Sequence, residues 1–273
     1  MSSFPEILVV TPTLGLSPFL DRTVASLFAQ TVPVRHVLVA PAPRVSALAA
    51  RYRHAVVVPD AGPAGGLYGA LNAALAGAPD SWAWFTYIND DDALLPGFSQ
   101  VARRHLARTW PEAVAYGDVE LIDSRERRTG LITVERNPAW IAALLQRGIS
   151  PLMQQGMLFR RDCVARLGGF DGRYRLCADL DFWLRAYAAG ERFRHYAAVV
   201  AQFRLRPGQL SGNTALTVRE QSEIVARHLP RRVPWWQWHS AVWRYRLCNL
   251  PRYVGRMRRR GLRTSYQILE RAS

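Results

Sequence analysis

The sequence predicts an α/β chain on a mostly parallel sheet flanked by helices, with a basic, aromatic-rich helical tail. Three observations carry this. Short β-rich apolar runs alternate with helical patterns through the first half. The 273 residues, 49% hydrophobic and 21% charged, suffice to bury a full core, which excludes disorder and disulfide miniproteins. The composition changes abruptly near Pro230.

Ile7 to Val10, Val37 to Val39, Val56 to Val58 and Trp82 to Ile88 are continuous apolar or aromatic runs, the pattern of strands covered on both faces. A helix opening at Ser17 or Pro18 places Leu20, Val24, Leu27 and Phe28 on one side; Ser46 to Tyr52 and Leu67 to Ala76 supply two more. Such sheets collect ligands at the carboxyl ends of their strands, so chemistry is expected in the loops after Val10, Val39 and Ile88. Further on, Ala113 to Tyr116 and Met157 to Phe159 read as strands, Ala139 to Gln146 and Leu180 to Tyr187 as helices.

All 36 basic residues are Arg, and against 21 acids they give a net charge of +15, which favours anionic partners. Residues 1–229 hold 25 Arg against 20 acids, whereas residues 230–273 hold 11 Arg against one, so the tail is an appendage of different character. The main domain is expected over 1–229 and the basic tail over 230–273. Cys163, Cys177 and Cys248 show neither paired nor metal-type spacing, which fits buried thiols in a reducing compartment. No apolar run approaches the ~18–20 residues of a membrane span, and Met1 to Val10 lacks the pattern of a signal peptide, so a cytoplasmic chain is expected.

Asn89-Asp90-Asp91-Asp92 follows the fourth strand directly. Each pair of like charges ~5 Å apart costs roughly 1 kcal/mol in a water-like dielectric and about 3 at an effective value of 20. A hard divalent cation removes that cost, and Mg2+ or Mn2+ on one or two carboxylates keeps positions open for substrate phosphates. The other reading is a solvated turn, with Asp92 capping a helix after Ala93.

Further motifs occur in order: Thr11-Pro12-Thr13 after the first strand, Gln155-Gly156-Met157-Leu158-Phe159-Arg160-Arg161, Leu167-Gly168-Gly169-Phe170-Asp171, and Asp179-Leu180-Asp181-Phe182-Trp183-Leu184-Arg185. Together with the acidic cluster this set resembles the family 2 glycosyltransferases of GT-A fold, over about Ile7 to Ser211. The resemblance implies a nucleotide-sugar-binding half over about 1–117 and an acceptor half over about 118–229, with Thr11 and Pro12 bordering the nucleotide pocket and Asp91 by the ribose. It implies that Asp92 ligates the metal, with Asp90 at the variable position as a second candidate. Tyr68-Gly69-Ala70-Leu71-Asn72 is similar to a Tyr-Asp-Ala-Met-Asn segment of polysaccharide-assembling members, without its carboxylate. Ala40-Pro41-Ala42-Pro43 stands where the family usually carries an acid that reads uracil.

Within this resemblance Asp179 is the base that deprotonates the acceptor hydroxyl. A helix N-terminus favours the ionised carboxylate that role requires, and an ordinary N-cap is the competing reading. Asp181 precedes Arg185 by four residues, the spacing of a helical ion pair. Arg206 occupies a position where many relatives carry His before Pro-Gly, and its fork suits a diphosphate. Gln155 is expected to face the acceptor. The implied activity is metal-dependent, inverting transfer of a sugar from a nucleotide diphosphate sugar to a glycan or lipid-linked hydroxyl.

From Trp235 onward, Trp236, Trp243, Leu247, Leu250, Val254 and Met257 recur near helical spacing among Arg residues. This suits either an anionic membrane surface, making the chain peripheral at the inner face, or a C-terminal helix packed on its own domain. Basic charge with aromatics also suits nucleic acid, but no nucleic-acid module is present and no nucleic-acid partner is expected. An inactive sugar-nucleotide-binding partner of another transferase is a third reading, suggested by Ala40, Gly69 and Arg206.

Overall fold

The computed structural model describes residues 6–107, 111–206, 208–209 and 213–260. In chain order the elements are β1 (Glu6–Pro12), α1 (Leu20–Phe28), β2 (Val34–Ala40), α2 (Ala42–Arg51), β3 (Val56–Pro59), α3 (Gly66–Gly77), β4 (Trp82–Tyr87), β5 (Ala93–Leu94) and α4 (Pro96–Ala107). They continue with β6 (Val114–Asp123), β7 (Arg128–Ile132), α5 (Ile141–Leu145), β8 (Leu158–Arg160), α6 (Arg161–Leu167) and α7 (Ala178–Ala188). Last come β9 (Phe193–Leu205), α8 (Thr214–His228), α9 (Trp235–Cys248) and α10 (Leu250–Arg260).

The nine strands form one sheet in the order β3-β2-β1-β4-β8-β6-β9-β5, with β7 beside β6. The expected parallel order holds for β3-β2-β1-β4 and for β6-β9, while β8, β7 and β5 pair antiparallel, so the sheet is mixed beyond β4.

The apolar runs are continuous because both faces are covered. Leu8 and Val10 point into a core with Tyr68, Leu71, Phe170 and residues of α7; Ile7 and Val9 point the other way, to Leu27, Phe98 and Val101 of α1 and α4. β3 is the exception: it is an edge strand, and Val56 is exposed rather than buried. Phe28 is likewise exposed, off the buried side of α1 formed by Leu20, Val24 and Leu27.

The division expected near residues 117–118 falls inside β6, so the two halves share one sheet. The tail does not stand apart either: Ala241 and Tyr245 of α9 pack on Ala143 and Leu144 of α5. Cys163 and Cys177 are buried as expected, whereas Cys248 is exposed. Among the described residues no helix is long and apolar enough to cross a membrane.

Candidate active site

The acidic cluster lies at the carboxyl edge of the parallel strands, where Ile88 N–H donates to Val10 O and Thr13 N–H to Val39 O. Asp92 is not a solvated cap. It is 1% exposed, β5 follows it directly, and the next helix begins at Pro96. Its Oδ1 accepts from Arg204 N–H at 2.9 Å, and its Oδ2 from Gln155 Nε2 at 3.2 Å and Asn89 Nδ2 at 3.3 Å. Burial, reinforced by the Asp91 charge, pushes the Asp92 carboxyl well above the usual carboxylate range.

Asp91 Oδ2 accepts from Arg206 Nε at 2.6 Å and Gln209 Nε2 at 3.4 Å. Asp90 Oδ2 accepts from the Thr13 hydroxyl at 2.6 Å, and Ser17 donates to the Asp90 carbonyl at 2.9 Å. Burial raises the Asp90 carboxyl, with the Thr13 hydrogen bond opposing.

The repulsion that suggested a cation is offset in part by the protein itself. β9 delivers Arg204, fully buried, whose Nε donates to Asp91 O at 2.8 Å and whose Nη1 donates to Asp123 O at 3.1 Å. Its Nη2 reaches Glu126 Oε1 at 3.3 Å, and the guanidinium lies 3.9 Å from the Phe19 ring centroid. Arg206, next but one on the chain, covers Asp91. Arg204 was legible only as one Arg in a late segment; its burial depends on carbonyls far away in sequence.

The fit of a divalent cation rests on which carboxylate oxygens are uncommitted. Asp92, the ligand implied by resemblance, has both oxygens engaged by protein donors. No other described residue donates a hydrogen bond to Asp90 Oδ1 or to Asp91 Oδ1. Two such carboxylates match the sparse protein ligation of Mg2+ or Mn2+ beside substrate phosphates. No group of three or more His, Cys, Asp or Glu side chains suited to hold an ion occurs among the described residues, so substrate oxygens would complete the set.

Asp179 sits in the first turn of α7, preceded by Cys177 at the cap position, so it is not the N-cap. Its Oδ1 accepts from Leu180 N–H at 2.8 Å and lies 3.1 Å from the Tyr68 hydroxyl, which also faces Leu176 O at 2.9 Å. Burial pushes the Asp179 carboxyl up, and these hydrogen bonds work against it.

Tyr87, the last residue of β4, packs on the Phe170 ring at 5.7 Å, as does Tyr68, the residue that touches Asp179, at 5.6 Å. The Tyr87 hydroxyl is held well above the ordinary range by burial and then by the charge of Asp179, with Asp92 adding to the effect. Gln154 Nε2 donates to Tyr87 O at 2.6 Å, while its neighbour Gln155 holds Asp92. Gln155 itself is buried, and its Oε1 has no hydrogen-bond partner among the described residues.

The other expected residues take distinct places. Pro12 is buried at the end of β1. Thr11 is fully buried with its hydroxyl 3.0 Å from His36 Nε2, so the hydroxyl that reaches the cluster is that of Thr13. Asp181 pairs with Arg185 at 2.7 Å and with His228 at 2.8 Å, which gives it a structural task.

Two positioning contacts come from the fold: one from Glu220, which no sequence motif includes, and one that joins two of the motifs. Glu220 of α8, 4% exposed, accepts three consecutive N–H groups, of Arg175, Leu176 and Cys177, each at 2.9 Å, and so fixes the approach to α7. Asn72 exchanges two hydrogen bonds with the Phe170 backbone, both at 2.8 Å. Gly169 makes that contact possible: its φ is +90°, and a Cβ there would lie 2.6 Å from Asn72 Oδ1.

No family model matches the sequence, and no curated protein matches it. Solved structures do match. Residues 1–349 of S. aureus TarS in complex with UDP-GlcNAc match with a TM-score of 0.58 at 14% identity, covering 98% of this chain and 91% of that one. The chain has a GT-A fold. The mannosyltransferase PcManGT from Pyrobaculum calidifontis, in complex with GDP-Man and Mn2+, matches with 0.54 at 14% identity, covering 99% and 84%. Glucosyl-3-phosphoglycerate synthase from Mycobacterium tuberculosis matches with 0.54 at 17% identity, covering 84% and 81%. At such identities the likeness is one of fold. Against the longer TarS structure the chain spans about half, 55% of that chain.

Proposed function

We propose that this chain is a glycosyltransferase that moves a sugar, with inversion, from a nucleoside diphosphate sugar to a hydroxyl of a glycan or lipid-linked acceptor. The observation that carries the reading is the chain of contacts from Asp92 through Gln155, Gln154, Tyr87, Phe170 and Tyr68 to Asp179, beside the ligand-collecting edge of a GT-A sheet. The fold likeness to structures in complex with UDP-GlcNAc and with GDP-Man supports the donor class.

A divalent ion held by the free oxygens of Asp90 and Asp91 would spread the negative charge of the departing diphosphate. Arg206 is half-exposed, with Nε committed to Asp91, so its Nη groups are the chain's cationic donors for phosphate oxygens. Asp92, Asn89, Gln155 and Arg204 form the rigid backing that holds the Asp90-Asp91 turn in place.

The Asp179 carboxylate takes the proton of the acceptor hydroxyl as that oxygen attacks the anomeric carbon. The bond from that carbon to the phosphate oxygen breaks, and the electron pair leaves with the diphosphate. Attack from the side opposite the leaving group inverts the anomeric centre. The helix N-terminus and the Tyr68 hydroxyl favour the charged form of the base against its burial.

A thermal-shift panel of uridine, guanosine, cytidine and adenosine diphosphate sugars, with and without Mn2+, tests this. At a hundredfold excess over Kd a true donor adds about 2.7 kcal/mol, a rise of roughly 5–10 °C for a chain of this size. The expected result is one responsive base, with a larger response in Mn2+. No shift with any sugar nucleotide would remove the proposal.

A further inference from the structure

Sequence alone set membrane attachment of the tail against packing of a C-terminal helix on its own domain. In the structure α9 provides for both. Its inner side is fixed by Ala241 and Tyr245 against α5, by the ion pair of Arg244 with Glu135, and by Asn249, which exchanges hydrogen bonds with the Thr133 backbone at 3.1 and 2.8 Å. Its outer side carries Trp236, Trp243 and Leu247, exposed by 59%, 63% and 63%, and the run continues on α10 with Leu250, Val254 and Met257 at 51%, 39% and 52%. Counting Ser240, these positions follow one another at intervals of four and three, so they form one stripe along the helix pair. Isolated exposed apolar residues need no explanation, but an aligned series ending in Trp at one end marks a surface that something covers.

Charge selects the occupant. Residues 235–260 contain seven Arg and no Asp, Glu or Lys, and Arg246 on the exposed side lies directly beside Leu247. A second copy meeting this stripe would set one strongly basic segment against another, since residues 235–260 of neither copy hold an acid, which is the opposite of a stable coiled-coil seam. A bilayer rich in anionic headgroups complements both features: Trp suits the headgroup layer, Leu, Val and Met the acyl boundary, and Arg the lipid phosphates.

We infer that the exposed stripe of α9 and α10 docks the folded domain peripherally on an anionic lipid surface, lying in the plane of the interface. The stripe borrows nothing from the core, so it can enter the interface without any part of the domain unfolding.

Flotation of the full chain with vesicles tests this, with no sugar nucleotide and no glycosyl acceptor present, so the outcome is independent of the proposed transfer. Vesicles of phosphatidylcholine with phosphatidylglycerol should retain the chain; phosphatidylcholine alone should not. The double variant W243S/L247S changes only exposed side chains; it should keep the wild-type circular dichroism and melting temperature yet lose retention at least about tenfold. Arg246→Gln should weaken partitioning about fivefold. Equal retention on both vesicles would overturn the inference. So would retention untouched by the double variant, which would mean that charge alone binds. Concentration-dependent self-association without vesicles, abolished by the same variant, would assign the stripe to a second copy instead.

Discussion

Replacing Arg204 by Met tests whether the acidic cluster is held by the chain's own buried cation. Met keeps much of the volume and leaves the backbone N–H that serves Asp92, so the loss is that of the guanidinium alone. Two buried carbonyls, of Asp91 and Asp123, lose their donor, at about 1–3 kcal/mol each, and the stacking on Phe19 is worth about 2 kcal/mol when desolvated. The buried Met side chain returns about 1.5–3 kcal/mol. The net expectation is a loss of about 1–6.5 kcal/mol, centred near 4, a sizeable part of a typical ~5–15 kcal/mol stability. Urea unfolding followed by circular dichroism should show the midpoint falling by roughly 1.3 M, for a slope of about 3 kcal/mol/M. A loss below about 1 kcal/mol would refute the reasoning, because it would mean the guanidinium is solvated and the carboxylates are not braced by it.

The Tyr68→Phe variant removes a hydroxyl that favours the charged form of Asp179. A base must be ionised to work, so raising its pKa further should move the acid limb of the kcat profile to higher pH while KM for the sugar nucleotide stays put. An unmoved limb would dissociate Tyr68 from the base. Glu220→Gln weakens three charge-assisted contacts to the segment before α7 and cannot accept all three in their present geometry. Denaturant titration should show a loss of about 1.5–3 kcal/mol, with faster hydrogen exchange at Arg175, Leu176 and Cys177.

Strands β1, β2 and β4 were legible because burial on both faces turns them into uninterrupted apolar runs, and the acidic cluster was legible because it follows one of these runs without a spacer. β9 was not. Its thirteen residues include Arg194, Gln202 and Arg204, and a strand with charged residues reads as a surface loop until its partners are known. Arg204 is satisfied by backbone oxygens of Asp91 and Asp123, and no local pattern announces contacts of that separation. The same holds for Glu220, which in sequence is one more acid on an amphipathic helix. Asp179 was legible from its motif, but its second contact, Tyr68, stands on α3 more than a hundred residues away. The hydrogen bond of Gln155 to Asp92 was not legible, since only the fold brings the two residues together. In the tail, periodicity revealed an apolar stripe but could not tell it from the buried side, because Ala241 and Tyr245 recur at helical spacing too.

The most direct measurement is paired titration calorimetry and turnover on Asp179→Asn, using the sugar nucleotide that the thermal panel identifies. If Asp179 does nothing but receive the acceptor's proton, the variant should bind the donor within about twofold of the parent while kcat falls about 10²–10⁴-fold. Undiminished turnover, or donor binding lost in step with turnover, would contradict that assignment and with it the reading of this cleft.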